Sequence, residues 1–328
     1  MELNKIYNID CIEGLKQLED NSIDLIITSP PYNKMGLNGF QKGKKWHGTI
    51  IYDNDINSDN MNEDDYQNWQ IEFLTECFRV LKKDGSMFYN HKNRIHKGTI
   101  ISPYQWLFKT PFLIRQEIIW DRGSTHNVNR CRFLPTTELI FWLTKSSSPR
   151  FDRTLDTPFK NEIWSFPFQI NTEHPAPFPL ELPDNIIHCV AKGETITVLD
   201  PFMGGGTTAI AAIKHNCNYI GFEKSKNYCE LSYTKIKNYI KESVKKILEN
   251  NYKNHFNKIK VAQHINGKNY DEKEKEWRKI MAKMQALNDI NKDRSVSTMS
   301  PHEQQFNNLI TKDTFDIDFN DLDTEYEY

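Results

Sequence analysis

Ile23-Asp24-Leu25-Ile26-Ile27-Thr28-Ser29-Pro30-Pro31-Tyr32 is the stretch on which the reading of the fold turns. Its first five residues are mostly branched and apolar and predict a short buried strand. The two prolines then bar helix or ladder from continuing. In an open α/β sheet the carboxyl end of a strand opens on the crevice where ligands bind. Pro31 has no N–H, so its carbonyl and that of Pro30 are expected to stay outside any regular ladder, free to accept a hydrogen bond. Ser29 adds a hydroxyl and Tyr32 a flat aromatic face. The set suits an exocyclic amino group on a flat base, with acceptors for its N–H groups and a ring for stacking. Taken alone, the same residues also describe an ordinary proline-rich turn.

A second segment separates the two readings. Thr195-Ile196-Thr197-Val198-Leu199 predicts a strand, Asp200-Pro201-Phe202-Met203-Gly204-Gly205-Gly206-Thr207-Thr208 a glycine-rich turn, and Ala209-Ile210-Ala211-Ala212-Ile213 a helix that Thr207 and Thr208 are expected to cap. Strand, glycine turn and helix form the layout of a nucleotide-type cofactor site, where glycine lets the backbone approach a ligand. The next strand, Asn218-Tyr219-Ile220-Gly221-Phe222, ends in Glu223. An acidic residue about twenty residues on is placed to bind ribose hydroxyls. The dinucleotide fingerprint is not met, and no lysine follows the glycines as a P-loop requires. Asp200 would repel a pyrophosphate but suits a positively charged amino-acid end, which points to S-adenosylmethionine rather than NAD or ATP.

Together, Ser29-Pro30-Pro31-Tyr32 and Asp200-Pro201-Phe202 with Gly204-Gly205-Gly206-Thr207-Thr208 resemble the DNA amino-methyltransferases that make N4-methylcytosine or N6-methyladenine. The tetrapeptide precedes the cofactor turn, as in the permuted β class of that family. Asn8-Ile9-Asp10-Cys11, Arg79 to Ser86, Pro135 to Trp142 and His174-Pro175-Ala176-Pro177-Phe178-Pro179 resemble further family segments, so the likeness runs over residues 3 to 240. It implies a Rossmann-like α/β methyltransferase sheet with helices on both faces, catalytic motif before cofactor motif, and a helical C-terminal extension. It assigns catalysis to Ser29, Pro30, Pro31 and Tyr32. It assigns cofactor binding to Asp10, Cys11, Asp200, Pro201, Phe202, Gly204, Gly206, Thr207, Thr208 and Glu223, with His174 and Phe178 closing over the methionine end. The implied cofactor is S-adenosyl-L-methionine, with no metal. The implied substrate is double-stranded DNA, in the cytoplasmic setting of bacterial or phage restriction-modification, where a cognate restriction endonuclease and a homodimeric state are further partners. In this family Ser-Pro-Pro-Tyr more often accompanies cytosine N4 and Asp-Pro-Pro-Tyr adenine N6, so cytosine is the expected base.

Composition sets limits on this reading. The 328 residues suffice for one large α/β domain and an appendage. No run of eighteen apolar residues suggests a membrane span, and Met1 to Lys5 lacks the apolar region of a signal peptide. The six cysteines are scattered without C-x-x-C pairs, which argues against zinc and fits reduced thiols. Cys11 lacks the preceding proline that attack on a cytosine ring carbon would call for, and reads as a structural neighbour of the cofactor. The net charge of −2 hides a segregation: lysines dominate from Lys224 to Lys283, and the chain after Lys312 is acidic. A basic face can bind phosphate despite a neutral total, although a solvated lysine-rich helix has the same composition.

The expected organisation is a catalytic domain over residues 1–240, a basic helical extension over 241–290 and an acidic, flexible tail over 291–328. Residues 64–81 carry Trp69, Phe73, Leu74, Phe78 and Leu81 at helical spacing and predict a helix whose aromatics belong to the core. Segments 33–63, 121–132 and 144–168 are long, polar and rich in Lys, Arg, Asn and Ser, and are expected to face DNA. The last is short for the target-recognition insert the family often has, so recognition would be shared among the three loops and the extension. Two other functions fit part of the pattern: a non-catalytic DNA-binding subunit, and an RNA methyltransferase.

Overall fold

The computed structural model describes residues 1–33, 61–125, 130–153, 159–167, 179–243 and 246. Contacts divide the chain into Met1–Ser243 and Val244–Tyr328, and the elements below all lie in the first unit. Its strands are β1 (Lys5–Tyr7), β2 (Ile23–Thr28), β3 (Leu81–His91), β4 (Arg94–His96), β5 (Thr99–Ile101), β6 (Leu113–Asp121), β7 (Thr137–Thr144), β8 (Ile163–Ser165), β9 (Thr197–Asp200) and β10 (Asn218–Phe222). The helices are α1 (Cys11–Lys16), α2 (Glu63–Val80), α3 (Tyr104–Leu107), α4 (Glu181–Ala191), α5 (Thr207–Lys214) and α6 (226–243).

Eight strands form one sheet in the order β1-β10-β9-β2-β3-β7-β6-β8, and β4 pairs with β5 in a separate hairpin. From β1 to β3 all neighbours are parallel; β7 runs antiparallel to β3 and β6. β2 sits in the middle, and Ile23, Leu25, Ile26, Ile27 and Thr28 are all buried. A continuous apolar run is what a parallel strand covered on both faces requires. Helices do cover both faces. α1, α2 and α3 pack with Leu15, Phe73, Leu74 and Trp106 on one side; α4 and α5 pack with Ile186, Ile187, Val190 and Ala209 on the other.

α2 begins where Asn62 accepts the Asp65 N–H and Glu63, Asp64 and Asp65 complement the helix dipole. It passes straight into β3 at Leu81. β2 therefore connects through α2 on one face to β3, whereas β9 connects through α5 on the other face to β10. Adjacent strands that depart in opposite directions leave a crevice between their carboxyl ends, the topological switch point of an open sheet. Ser29 and Asp200 stand at that point.

Segment 144–168, expected to face DNA, contributes Thr144 to β7 and supplies β8 as a strand along β6. A three-residue strand carries too little periodicity to be read from sequence. Of the loops expected to contact DNA, 34–60, 126–129, 154–158 and 168 lie outside the described residues, as do His174, Phe178 and nearly all of the proposed extension and tail. Among the described residues no group of His, Cys, Asp and Glu is arranged to hold a metal, and no helix is long and apolar enough to cross a membrane.

Candidate active site

Asp200, the last residue of β9, joins the two halves of the crevice. Its Oδ1 accepts the Thr28 hydroxyl at 2.8 Å and the Phe202 N–H at 3.0 Å, and its Oδ2 accepts the Thr208 hydroxyl at 2.6 Å. Thr28 immediately precedes Ser29, so one buried carboxylate ties the end of β2 to the glycine turn. Burial pushes this carboxyl up to about 6, against the opposing pull of the Thr208, Thr28 and Phe202 hydrogen bonds. The expected cap of α5 is not formed by a threonine. Gly206 occupies the cap position at φ 82°, and Thr208 turns its hydroxyl to Asp200 instead. Gly206 is required there twice over, by its left-handed φ and because a Cβ would stand 2.9 Å from the Ser232 Cβ.

Beside the turn, Glu223 Oε2 accepts the Gly204 N–H at 2.9 Å and Oε1 accepts the Ser225 N–H at 2.8 Å. Asp10 Oδ1 caps α1 through the Ile12 N–H at 3.0 Å. Cys11 is buried, and burial pushes its thiol well up, with Asp10 adding to the effect, so it is no nucleophile. Pro201 is buried, Thr207 is half-buried, and Phe202 packs edge-on against Phe73, with ring centroids 5.1 Å apart. Asp10, Glu223, the glycine turn and Ser29 thus follow the carboxyl ends of four adjacent strands, β1, β10, β9 and β2. Three strand spacings make a trough roughly 14 Å long, enough for a nucleoside carrying an amino acid on its ribose. The acidic residue and the tight glycine backbone are the donor and acceptor types that such a ligand needs, so the residues present fit S-adenosylmethionine.

The tetrapeptide is held from two sides. In front, the Tyr32 hydroxyl donates to Glu138 Oε2 at 3.0 Å and lies 2.9 Å from Ser29 Oγ. A carboxylate can only accept, so the tyrosine proton points to Glu138 and the Ser29 proton to Tyr32. Asn90 Nδ2 reaches Tyr32 Oη at 3.1 Å and Glu138 Oε2 at 3.3 Å; Arg122 Nη1 lies 3.2 Å from Glu138 Oε1. Asn90 Oδ1 is buried with no partner among the described residues. Burial, then the Glu138 charge, pushes the Tyr32 phenol well up, so it keeps its proton. Arg122 belongs to a loop expected to face DNA but turns inward, donating also to the Pro135 carbonyl at 2.8 Å.

Behind, the Tyr66 hydroxyl donates to the Pro31 carbonyl at 2.8 Å. The expectation that both proline carbonyls stay free therefore fails for Pro31, because α2 brings a phenol beneath it; the Pro30 carbonyl has no partner among the described residues. Tyr66 Oη lies 2.8 Å from both Gln70 Nε2 and His91 Nε2. Gln70 Oε1 in turn accepts from Tyr89, and Tyr89 from Trp106 Nε1. His91 also packs against the Tyr32 ring at 4.6 Å. Tyr66→Phe would take the phenol away from the Pro31 carbonyl and from the buried Gln70 Nε2–H. It should cost about 2–4 kcal/mol of unfolding free energy, measurable by urea denaturation.

Asn90, Glu138, Arg122, Thr28 and Tyr66 are the site residues that motif reading misses. A signal existed for Glu138: a carboxylate opening the run Leu139-Ile140-Phe141-Trp142 must find a partner if that strand is buried.

Comparison with known proteins identifies the relatives of this chain. The N6/N4 methyltransferase model, described as DNA methylase, matches residues 23–235. The type II methyltransferase M.BglII of Bacillus subtilis is 29% identical over 266 residues, covering 70% of this chain and 68% of that protein. The DNA adenine methyltransferase YhdJ of Escherichia coli (strain K12) is 26% identical over 267 residues, covering 72% of this chain and 83% of that one. The solved structure of the PvuII DNA methyltransferase (cytosine-N4-specific) shares the fold with a TM-score of 0.56 at 22% identity, over 73% of this chain and 92% of that one.

Proposed function

Because the chain belongs to the DNA methylase family whose model spans residues 23–235, we propose that it moves a methyl group from S-adenosylmethionine to the exocyclic amino nitrogen of a base in double-stranded DNA, with cytosine N4 as the target. The observation that carries this reading is the Thr28–Asp200 hydrogen bond at 2.8 Å, which couples an amine-accepting loop to a glycine turn of cofactor type.

An amine inside a duplex is out of reach, so the base must be extruded into the crevice. The Ser29 hydroxyl and the Pro30 carbonyl accept its two N–H bonds. Tyr32, fixed by its hydroxyl and by His91, offers the aromatic surface against which the base lies. The amine lone pair is delocalised into the ring; two preorganised acceptors favour a pyramidal nitrogen whose lone pair is available. The cofactor, when bound, supplies an electrophilic methyl on a sulfonium sulfur, which keeps the bonding pair and leaves as a neutral thioether. Glu223 would hold the ribose, Asp10 the adenine side and residues 200–208 the amino-acid end.

Ser29 in place of an aspartate supports cytosine, and the neutral serine is a weaker acceptor than a carboxylate. Incubation with S-adenosylmethionine and unmethylated DNA, followed by nucleoside mass spectrometry, is expected to yield N4-methylcytosine. N6-methyladenine would keep the chemistry and overturn the choice of base. Neither product, with cofactor binding intact, would overturn the reading in favour of RNA or a non-catalytic role.

A further inference from the structure

We propose that Glu138 is the final acceptor of the proton that the target amine loses, reached through Ser29 and Tyr32. This rests on the methyl-transfer reading above. Forming the N–CH₃ bond leaves the nitrogen positively charged with one hydrogen too many, and the reaction is complete only when an N–H bond breaks and its electron pair returns to nitrogen. The donors and acceptors already present run in one direction. Ser29 Oγ has a lone pair to offer beside the long 3.4 Å contact from Asn90 Nδ2, because its own proton points to Tyr32 Oη, 2.9 Å away, and the Tyr32 proton points to Glu138 Oε2, 3.0 Å away. As the amine proton moves to Ser29 Oγ, the Ser29 proton moves to Tyr32 and the Tyr32 proton to Glu138. Ser29 and Tyr32 end neutral, and Glu138 ends as a carboxylic acid.

Glu138 is suited to this end of the chain. It is buried, and among the described residues the charged and titratable groups that face it are Arg122, at 3.2 Å, and Tyr32, with the amide of Asn90 at 3.3 Å. Arg122 and Asn90 hold its carboxyl group in place, and a protonated exocyclic amine is so strong an acid that a carboxylate can take its proton. Serine alone could not take the proton, and Tyr32 keeps its own, so a carboxylate two hydrogen bonds away supplies what the tetrapeptide lacks.

The test compares wild type with Glu138→Gln, Glu138→Asp and Tyr32→Phe in single-turnover methyl transfer, alongside cofactor titration calorimetry, DNA-binding anisotropy and thermal melting. Glu138→Gln keeps the shape and a hydrogen-bonding oxygen but cannot take a proton at neutral pH. The expected loss is roughly 100-fold in single-turnover rate, within the range for a lost proton acceptor, with cofactor and DNA affinities unchanged within about two-fold. Tyr32→Phe should match Glu138→Gln, and Glu138→Asp should recover part of the rate. A Glu138→Gln enzyme that keeps the wild-type rate overturns the inference and leaves methyl transfer standing. Equal losses of melting temperature, affinity and rate would reduce Glu138 to a structural residue. Absence of any methylated base with the wild-type chain would overturn the underlying reading, and this inference with it.

Discussion

Ser29→Ala is expected to lower single-turnover methyl transfer by about 100- to 1,000-fold while leaving S-adenosylmethionine affinity within about two-fold. The asymmetry follows from where Ser29 stands. Its Cα is one residue beyond β2, and its hydroxyl touches Tyr32 Oη at 2.9 Å, with Asn90 Nδ2 at 3.4 Å. None of these groups belongs to the glycine turn or to Glu223. The substitution would therefore remove the acceptor proposed to orient the amine, and the first link in the proposed proton path, without touching the glycine turn or Glu223. Ser29 is half-buried, and Tyr32 retains Glu138 and Asn90 when the serine oxygen is gone, so the loop should keep its shape. Cofactor binding by calorimetry and methyl transfer under single-turnover conditions separate the two effects. Equal losses in both would refute the assignment of Ser29 to the amine.

What the sequence discloses and what it hides divide along a physical line. Ser29 to Tyr32 and Asp200 to Thr208 are legible because proline and glycine act locally: each restricts or frees its own backbone, and the consequence can be read without knowing the neighbours. The strands at Ile23, Thr197 and Asn218 are legible because a strand buried on both faces must be apolar throughout. The clamp around the tetrapeptide is not local. Thr28 and Asp200 are 172 residues apart, Tyr32 and Glu138 106, and Pro31 and Tyr66 35. Each partner is a common residue type in an unremarkable local pattern, and only the sheet order brings them together. Thr208 shows how the local rule can mislead. A threonine at a helix start is a good cap, but here a buried carboxylate offers its hydroxyl a stronger, charge-assisted bond, and glycine is left to begin the helix. Arg122 misleads in the same way, because an arginine in a polar loop looks like a phosphate contact until Glu138 is seen beside it.

That competition makes Asp200 the residue whose loss should do the most damage to the fold. Asp200→Ala would leave the Thr28 hydroxyl, the Thr208 hydroxyl and the Phe202 N–H without their acceptor around a buried gap, at an expected cost of about 3–5 kcal/mol. A subtler substitution tests the electrostatics. In the unfolded chain an aspartate ionises near its ordinary value of about 3.9. In the fold, burial holds the Asp200 carboxyl up at about 6. Its folded value is raised, so the stability it contributes is fully present below about pH 4 and is lost as pH rises through 6. The difference of about two units corresponds to about 3 kcal/mol. Above about pH 7 the carboxylate is ionised in both states and the effect is constant. The amide side chain of an Asp200→Asn protein has no such titration, yet its oxygen can still accept from Thr28 and the Phe202 N–H, and its nitrogen can donate to Thr208. Urea unfolding of the two proteins at pH 4.5 and pH 7 isolates the effect, since every other titrating group is shared. Wild type should lose stability relative to the variant by about 2 kcal/mol over that interval. A difference that does not change with pH would mean that Asp200 ionises as it does in water. The brace between β2 and the glycine turn would then be solvated rather than a sealed carboxylate, and the coupling assigned to the Thr28 hydrogen bond would lose its physical basis.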